Sequence, residues 1–531
     1  MISGNLRHVA DYIVENGKKS CRKLGKICNT SKSSINRHLK KIRTREHISG
    51  AAFFETAQGQ EWILRLVVAA IFVFGISAGV GSEKIALFFS IICISSFAAL
   101  STSSIKRLEN KIDDAIGLYQ EKHDKRIKDK AADISITPGG DETFFENLMI
   151  LVCMDLNSGF IFHETISEKR DHKAWESTST PWLSRFKTVR CFLSDKAKAL
   201  LKLAKTSLDV DRIPDLFHMM NDISKVMRFS FYRLKQSTEK LLAAAEKELA
   251  KGKDHTVNNR VIATLSLKLT LLSRRKIEYQ KNLRQLSITL HPFEILSSKR
   301  QDSSSVSNKM TLSLSRIKLI QEELEISDPS KRLQRVERQI PDAAKQIDMW
   351  WKWVNCSLES VDISDRFKDW LLNYLLPTIY WKSRLNKTRS KKIKRFYERS
   401  ELAAKRKLNN HSLTGIILQN NKKSSEWQTW AQQMVKLFIR ATSAIEGRNS
   451  WLSQIHFNGR GLSQKRLKSQ CAIHNYFLQR SDGSTSCERL SGIKPDNMFE
   501  FIVQNIGVLA EPRKRKVKDV RNPLNLQTVP G

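Results

Sequence analysis

Two acids open the question of chemistry. Asp141, in GGDETFF, and Asp195, in FLSDKAK, stand near the ends of segments that read as neighbouring strands. A sheet holds side chains at strand ends in a fixed, half-open geometry. Two carboxylates held close together repel unless a cation lies between them. A hard cation such as Mg²⁺ takes oxygen ligands of this kind. The plainer alternatives are a turn acid after Gly139 and Gly140 for Asp141, and an N-cap of the following helix for Asp195. Asp155, in MDLNSG, is a second candidate for the first metal acid, at a turn where Asp serves local hydrogen bonds.

The elements that position these acids lie between residues 134 and 218, the one long region that reads as strands. LMILVCMDL and FIFHETI are short apolar runs joined by NSG, a hairpin signal. VRCFLSD is a third run, passing straight into the helical pattern KAKALLKLAK.

The bounds of the whole chain agree with a multidomain α/β plus all-α protein. It has 531 residues, too many for one ordinary core, so two to four domains are expected. Lys+Arg 91 against Asp+Glu 54 leaves a net charge of +37. So large an excess, spread along the chain, suits a polyphosphate partner. The 8 cysteines form no CxxC pair, which speaks against a zinc site or a disulfide framework and for a reducing compartment. No leader pattern opens the sequence, so a cytoplasmic location is expected.

Residues 1–50 resemble a helix-turn-helix. Leu6, Val9, Ala10 and Ile13, then Leu24, Ile27, Ile35, Leu39 and Ile42, form the inward set. Ser31 can cap the last helix, whose outward side carries Lys32, Ser33, Asn36, Arg37 and Lys40. Those side chains suit phosphates and base edges in a major groove. A basic three-helix bundle without sequence preference is the plainer reading.

Residues 51–130 hold two uncharged runs, LVVAAIFVFGISAGV and IALFFSIICISSFAALSTSSI, the second long enough to span a bilayer. Arg65 at the edge of the first and the many serines of the second favour buried helices, with a membrane hairpin as the alternative. Ile105, Leu108 and Ile112 inward with Lys106 and Arg107 outward suggest a second helix-turn-helix. Residues 117–133 then read as a polar connection.

From 222 to 430 the chain is helical by composition and period, with an exposed serine-rich loop expected at 298–309. Its densest basic stretch, 382–407, includes Lys391, Lys392, Lys394 and Arg395 and suits a surface that tracks a nucleic-acid backbone. A solvated helix face is the alternative. Between 426 and 455 one long helix is expected, carrying Glu446, and residues 511–531 form a basic tail. WWKW at 350–353 invites base stacking, but aromatics at that spacing more often pack inside.

ITPGGDETFF with MDLNSGFI, FLSDKAKALLKL, PDLFHMMNDISK and SAIEGRNSWLSQIHFNGRGLSQKRL together resemble the DDE-type transposases of bacterial insertion sequences. The resemblance implies an RNase H-like mixed-sheet core, its first part at 131–221 and its last at 431–510, interrupted by a helical insertion at 222–430. By motif position it makes Asp141, Asp195 and Glu446 the three carboxylates around two Mg²⁺ (or Mn²⁺) ions. Asp215 and His218 match a D-x-F-H element of the family, in a supporting place; a core histidine beside an N-capping Asp is the plainer reading. Arg448 and Asn449 follow Glu446 closely, and Arg448, Lys465 or Arg466 could hold a DNA phosphate, with a salt bridge as the alternative. The implied activity is cleavage and strand transfer at insertion-sequence ends, on double-stranded element and target DNA, by a cytoplasmic, nucleoid-associated homo-oligomer with no membrane. The rivals are a catalytically inactive DNA-binding derivative, a membrane-attached basic protein, and a junction-resolving nuclease on the same core.

Overall fold

A computed structural model describes residues 4–43, 52–251, 255–359, 361–418, 421–459 and 461–512. The basic tail expected at 511–531 therefore lies outside the described residues from 513 onward. The chain divides into two compact units that do not follow chain order. One is Met1–Asp129 with Ser450–Glu488 and Gly492–Gly531; the other is Lys130–Asn449 with Arg489–Ser491.

In the first unit, three short helices open the chain: α1 (Gly4–Asn16), α2 (Cys21–Ile27) and α3 (Lys32–Arg43). Leu6, Val9, Ile13, Leu24, Ile35, Leu39 and Ile42 close one apolar core, at the three- and four-residue spacing that keeps side chains on one helix face. Ile27 departs from the inward set: it is 45% exposed and Cys28 is buried instead. Four residues turn a helix back to within about 40° of Leu24, three leave it about 60° away, so Cys28 faces the core more squarely. Ser31 accepts a hydrogen bond from the Ser34 backbone N–H at 3.2 Å, an N-cap for α3. Lys32, Ser33, Asn36, Arg37 and Lys40 all lie exposed on the outer side of α3.

The first apolar run forms one unbroken helix, Ala57–Ser77, long and apolar enough to cross a membrane, with half of its most apolar window buried. The second run does not form a single span. Its helix ends at Ile91, and Cys93 takes a left-handed conformation (φ 59°) before a short 3-10 turn. The stretch expected as a polar connection is instead the second half of a 29-residue helix, Thr102–Lys130. Ile112, Ile116, Tyr119, His123 and Ile127 are its buried stripe, hidden in the sequence by the dense Lys and Asp of the opposite face.

The second unit is built on a five-stranded mixed sheet: β1 (Pro138–Phe145), β2 (Leu148–Asp155), β3 (Ile161–Ile166), β4 (Phe192–Ser194) and β5 (Arg212–Pro214), in the order β3-β2-β1-β4-β5. β1, β2 and β3 form an antiparallel meander, and β4 and β5 run parallel to β1. The β2–β3 hairpin is the one the NSG turn predicts, with Gly159 at φ 79°. Central strand β1 is packed tightly on both faces at its start. A Cβ at Gly139 would meet Leu156 at 2.9 Å, and one at Gly140 would meet the Phe192 ring at 2.9 Å.

Helices fill the rest of this unit, from Leu216–Ala250 through Asn421–Lys436, around one apolar core that includes Phe293, Met310, Ile347, Trp350 and Trp381. The exposed loop expected at 298–309 is mostly helix. Asp302 caps Ser303–Glu323 through the Ser305 N–H at 2.7 Å, and Val306, Met310 and Leu314 give it a buried face. The tryptophans of WWKW serve packing: Trp350 Nε1 donates to the Met434 carbonyl (2.8 Å) and Trp351 Nε1 to that of Gln301 (3.1 Å).

Candidate metal centre

The single long helix expected around Glu446 is broken. One helix ends at Lys436 and another, Ser443–Gly459, begins after an irregular segment. Glu446 therefore sits in the first turn of its helix, where the positive end of the helix dipole attracts a carboxylate.

The break has identifiable causes. Asp215 Oδ1 accepts the Phe217 N–H at 2.6 Å, capping Leu216–Ala250, while its Oδ2 accepts the Thr442 N–H at 3.2 Å and the Thr442 hydroxyl. The carbonyls ahead of Thr442 are claimed as well. Met434 O accepts from Trp350, Phe438 O from Arg384 (2.6 Å), Ile439 O from Gln346, and Arg440 O from the Leu216 N–H (3.0 Å). The bonds at Phe438, Ile439, Arg440 and Thr442 draw backbone groups away from helical pairing, so the chain cannot run straight from 436 to 443. Asp215→Ala is expected to destabilise the protein by about 2–3 kcal/mol, the sum of a lost cap and a lost buried acceptor. Urea unfolding of the two proteins checks this.

Asp141 stands in the middle of β1, paired with Val152, rather than at a strand end. Asp195 does follow the end of its strand. Since Gly139 pairs with Leu193 and Gly140 with Ser194, one more step of the register sets Asp141 beside Asp195. The side chains that converge most closely are Asp141, His218 and Glu446, with one ligand atom of each within 4.8 Å of the others. Asp195 is not in that group; its Oδ1 accepts the Ala197 N–H at 2.8 Å, the capping role that was its alternative. Its charge nevertheless reaches Asp141 and Glu142.

Burial first, then the negative charges of Glu446 and Asp195, push the Asp141 carboxyl up to about 7, against the opposing pull of His218. His218 Nε2 lies 3.3 Å from Glu446 Oε1, and that contact above all raises its pKa to about 9. The same nitrogen lies 3.8 Å from Asp215 Oδ2, so the imidazole sits between two carboxylates. Asn449 Nδ2 donates to Asp141 Oδ2 at 3.0 Å and so fixes the carboxylate, while Asn449 Oδ1 is buried and unbonded.

This donor set fits a divalent cation. Carboxylate oxygens converge in a partly dry site, where burial first and the Glu446 charge after it raise the proton affinity of Asp141, and the His218 imidazole lies within ligand distance of both. Two carboxylates and an imidazole suit Mn²⁺ as well as Mg²⁺. Because Asp141 must lose its proton to act as a ligand, Mn²⁺ affinity is expected to rise with pH up to about 7. If His218 also ligates, the rise continues toward about 9; if it stays an imidazolium beside Glu446, affinity levels off near 7. Calorimetric Mn²⁺ titration from pH 5.5 to 9 distinguishes the two.

Several expected roles are corrected by the partners found. Arg448 cannot hold a phosphate: it makes a two-pronged ion pair with Glu164, Nε to Oε1 at 2.6 Å and Nη2 to Oε2 at 2.8 Å, and both side chains are buried. Lys465 pairs with Asp114 at 2.7 Å, and Arg466 with Asp113 at 3.1 Å, the salt bridges that were the alternative to a DNA phosphate. Asp155 is the local turn acid, accepting from Thr137 and Ser158. Lys391, Lys392, Lys394 and Arg395 are exposed on the helix Lys391–Asn409. Two residues that sequence reasoning missed are Thr442, which anchors the Glu446 helix to Asp215, and Arg212, which donates to the Ser194 carbonyl at 2.8 Å. No local pattern marks either, since Thr442 and its partner are 227 positions apart.

Residues 371–518 are similar to a family described as of unknown function (DUF6399), a match that spans Glu446, Arg448 and Asn449 but not Asp141, Asp195 or His218. No curated protein matches the chain.

Proposed function

We propose that the chain is a metal-dependent DNA strand-cleaving and strand-transferring enzyme of the DDE transposase type. The observation that carries the reading is the convergence of Asp141, on the central strand, with His218 and with Glu446, contributed from 305 positions later; Asp195, at the neighbouring strand end, lies near enough for its charge to act on Asp141. The strand order β3-β2-β1-β4-β5, with an antiparallel meander followed by two parallel strands, supports an RNase H-like core. The helical block between Asp215 and Thr442 has the place of the insertion expected within such a core.

Asp141, Glu446 and Asp195 would hold the ions, with His218 beside them. Bound divalent ions supply activation of an attacking oxygen and stabilisation of a leaving one in displacement at phosphorus. The chain's own part is positional. Asn449 fixes the Asp141 carboxylate, and Asp215 with Thr442 fixes the start of the Glu446 helix. A protonated His218 would hold Glu446 until a cation replaces its charge.

Double-stranded DNA is the proposed partner. α2 and α3 fit a helix-turn-helix whose second helix presents Lys32, Ser33, Asn36, Arg37 and Lys40, and the helix Lys391–Asn409 adds a second basic surface. Joining two DNA ends calls for a homo-oligomer, and a cytoplasmic, nucleoid-associated location follows from that partner. Arg37→Ala with Lys40→Ala is expected to lower the slope of log affinity against log salt by roughly 1–2, as each lost phosphate contact releases about one counterion fewer. Anisotropy titrations on duplex DNA between 50 and 300 mM salt read this.

The reading as a whole is tested with a plasmid carrying the flanks of this protein's own reading frame, incubated with Mg²⁺ or Mn²⁺. Strand cutting at the flanks is expected. Tight, salt-sensitive binding with intact plasmid would favour an inactive DNA-binding derivative, in which His218 neutralises the carboxylates permanently.

A further inference from the structure

The helical part of the second unit carries an open cleft of about 580 Å³, built from residues outside the carboxylate site. Lys299, Arg300 and Lys407 line it, and among the described residues that line it none is Asp or Glu. A cleft with one sign of charge concentrates potential and draws a counter-charged ligand.

Lys299 and Arg300 are delivered by a strained loop. Leu296 (φ 70°) and Ser298 (φ 54°) both take left-handed conformations, which a residue with a side chain keeps only where its surroundings hold it there. The holding contacts are specific. The Leu296 N–H donates to Ser400 Oγ at 3.0 Å, Trp381 Nε1 to Ser298 Oγ at 3.1 Å, and Lys407 Nζ to the Ser297 carbonyl at 2.6 Å. The Arg300 guanidinium turns aside: it lies over the Trp351 ring, 3.9 Å from its centroid, beside a neighbouring hollow that Trp351 lines with Asp302 and Asp348. The lining also includes an aromatic pair, Tyr374 and His411, with ring centroids 4.4 Å apart.

We propose that this cleft is a nucleoside-phosphate site, with phosphate oxygens on Lys299 and Lys407 and a base against the Tyr374–His411 pair. The cationic groups match phosphate, the ring faces match a base, and the volume suits one such unit. A free nucleotide and a nucleotide of a single DNA strand present the same chemistry. The assignment does not rest on the carboxylate reading, because the site can be probed with no divalent metal present and no cutting.

The experiment uses the full chain in EDTA with three probes: fluorescent ten-nucleotide oligo(dT), an abasic strand of the same length, and dTMP as competitor. Tyr374→Ala is expected to weaken oligo(dT) at least about fivefold while leaving the abasic strand unchanged. Tyr374→Phe, which keeps the ring, should bind as the parent does and guards against a folding effect. Lys299→Gln with Lys407→Gln should weaken both strands and lower the salt slope by about 1.4. Competition by dTMP marks a free-nucleotide site, and its failure to compete marks a strand site. Equal binding of oligo(dT) and abasic strand by parent and Tyr374→Ala, or an unchanged salt slope in the lysine variant, would overturn the proposal.

Discussion

Asp141→Asn and Glu446→Gln should each lower the rate of metal-dependent plasmid cutting by about 10³-fold or more, while duplex binding and the folded state stay close to the parent's. Both substitutions keep size and shape and remove only a charge. Groups that act as a unit lose most of their effect when any one is removed, so the double variant should be scarcely worse than either single one. Asp141→Asn has a further signature. The parent's carboxyl is pushed up to about 7, so its metal uptake and cutting climb as pH rises toward that value; the variant's residual metal binding should lose that climb. Asp195→Asn is a sharper probe still, because its carboxylate is already engaged with the Ala197 N–H. A cutting rate equal to the parent's for Asp195→Asn would leave Asp141, His218 and Glu446 as the centre. Parent-like cutting by Asp141→Asn or Glu446→Gln would remove the centre altogether.

The second large effect concerns stability. Arg448→Met is expected to cost about 3–5 kcal/mol, because it strands Glu164 as a buried charge with its main partner gone. The two side chains are 2% and 0% exposed, so water cannot take Arg448's place. The thermal midpoint should fall by roughly 6–20 °C, taking the 2–4 °C per kcal/mol typical of about 150–250 residues. Arg448→Met with Glu164→Leu should recover most of that loss, since a buried ion pair replaced by apolar groups is often close to neutral. If the double variant is as unstable as the single one, the pair is not where the cost arises. Cutting reports independently: Arg448 lies two residues past Glu446, so the recovered double variant should regain its fold faster than its rate.

How much of this was legible in the sequence depends on how local each cause is. The β2–β3 hairpin, the inward face of α1 and α3 and the Ser31 cap rest on neighbours in the chain, and local patterns found them. The second half of Thr102–Lys130 was lost because charge on the exposed face outweighs a thin buried stripe of Ile112, Ile116, Tyr119 and His123. The helix starting at Ser303 was lost because serines read as loop, although Asp302 and the Val306–Met310–Leu314 spacing were there to be weighed. At the candidate site, residue types were visible but their partners were not. Nothing near Arg448 announces Glu164, and nothing near Lys465 or Arg466 announces Asp114 or Asp113, so three cations expected on DNA turned out to be engaged with acids. The break before Glu446 was invisible for the same reason: its cause, Asp215, is on the far side of the helical block.

The segment from Met434 to Thr442 gives that block a meaning beyond added surface. Carbonyl after carbonyl along it is taken by a donor from elsewhere in the unit: Trp350, Arg384, Gln346 and the Leu216 backbone. A trimmed protein that joined the strands directly to the Glu446 helix would take these donors from the Phe438, Ile439 and Arg440 oxygens, at about 1–3 kcal/mol for each one that stayed buried. The helical block is thus not detachable ballast. It is the jig in which the last carboxylate is set, and Glu446 and Asp141 lie with it in one compact unit, Lys130–Asn449 with Arg489–Ser491.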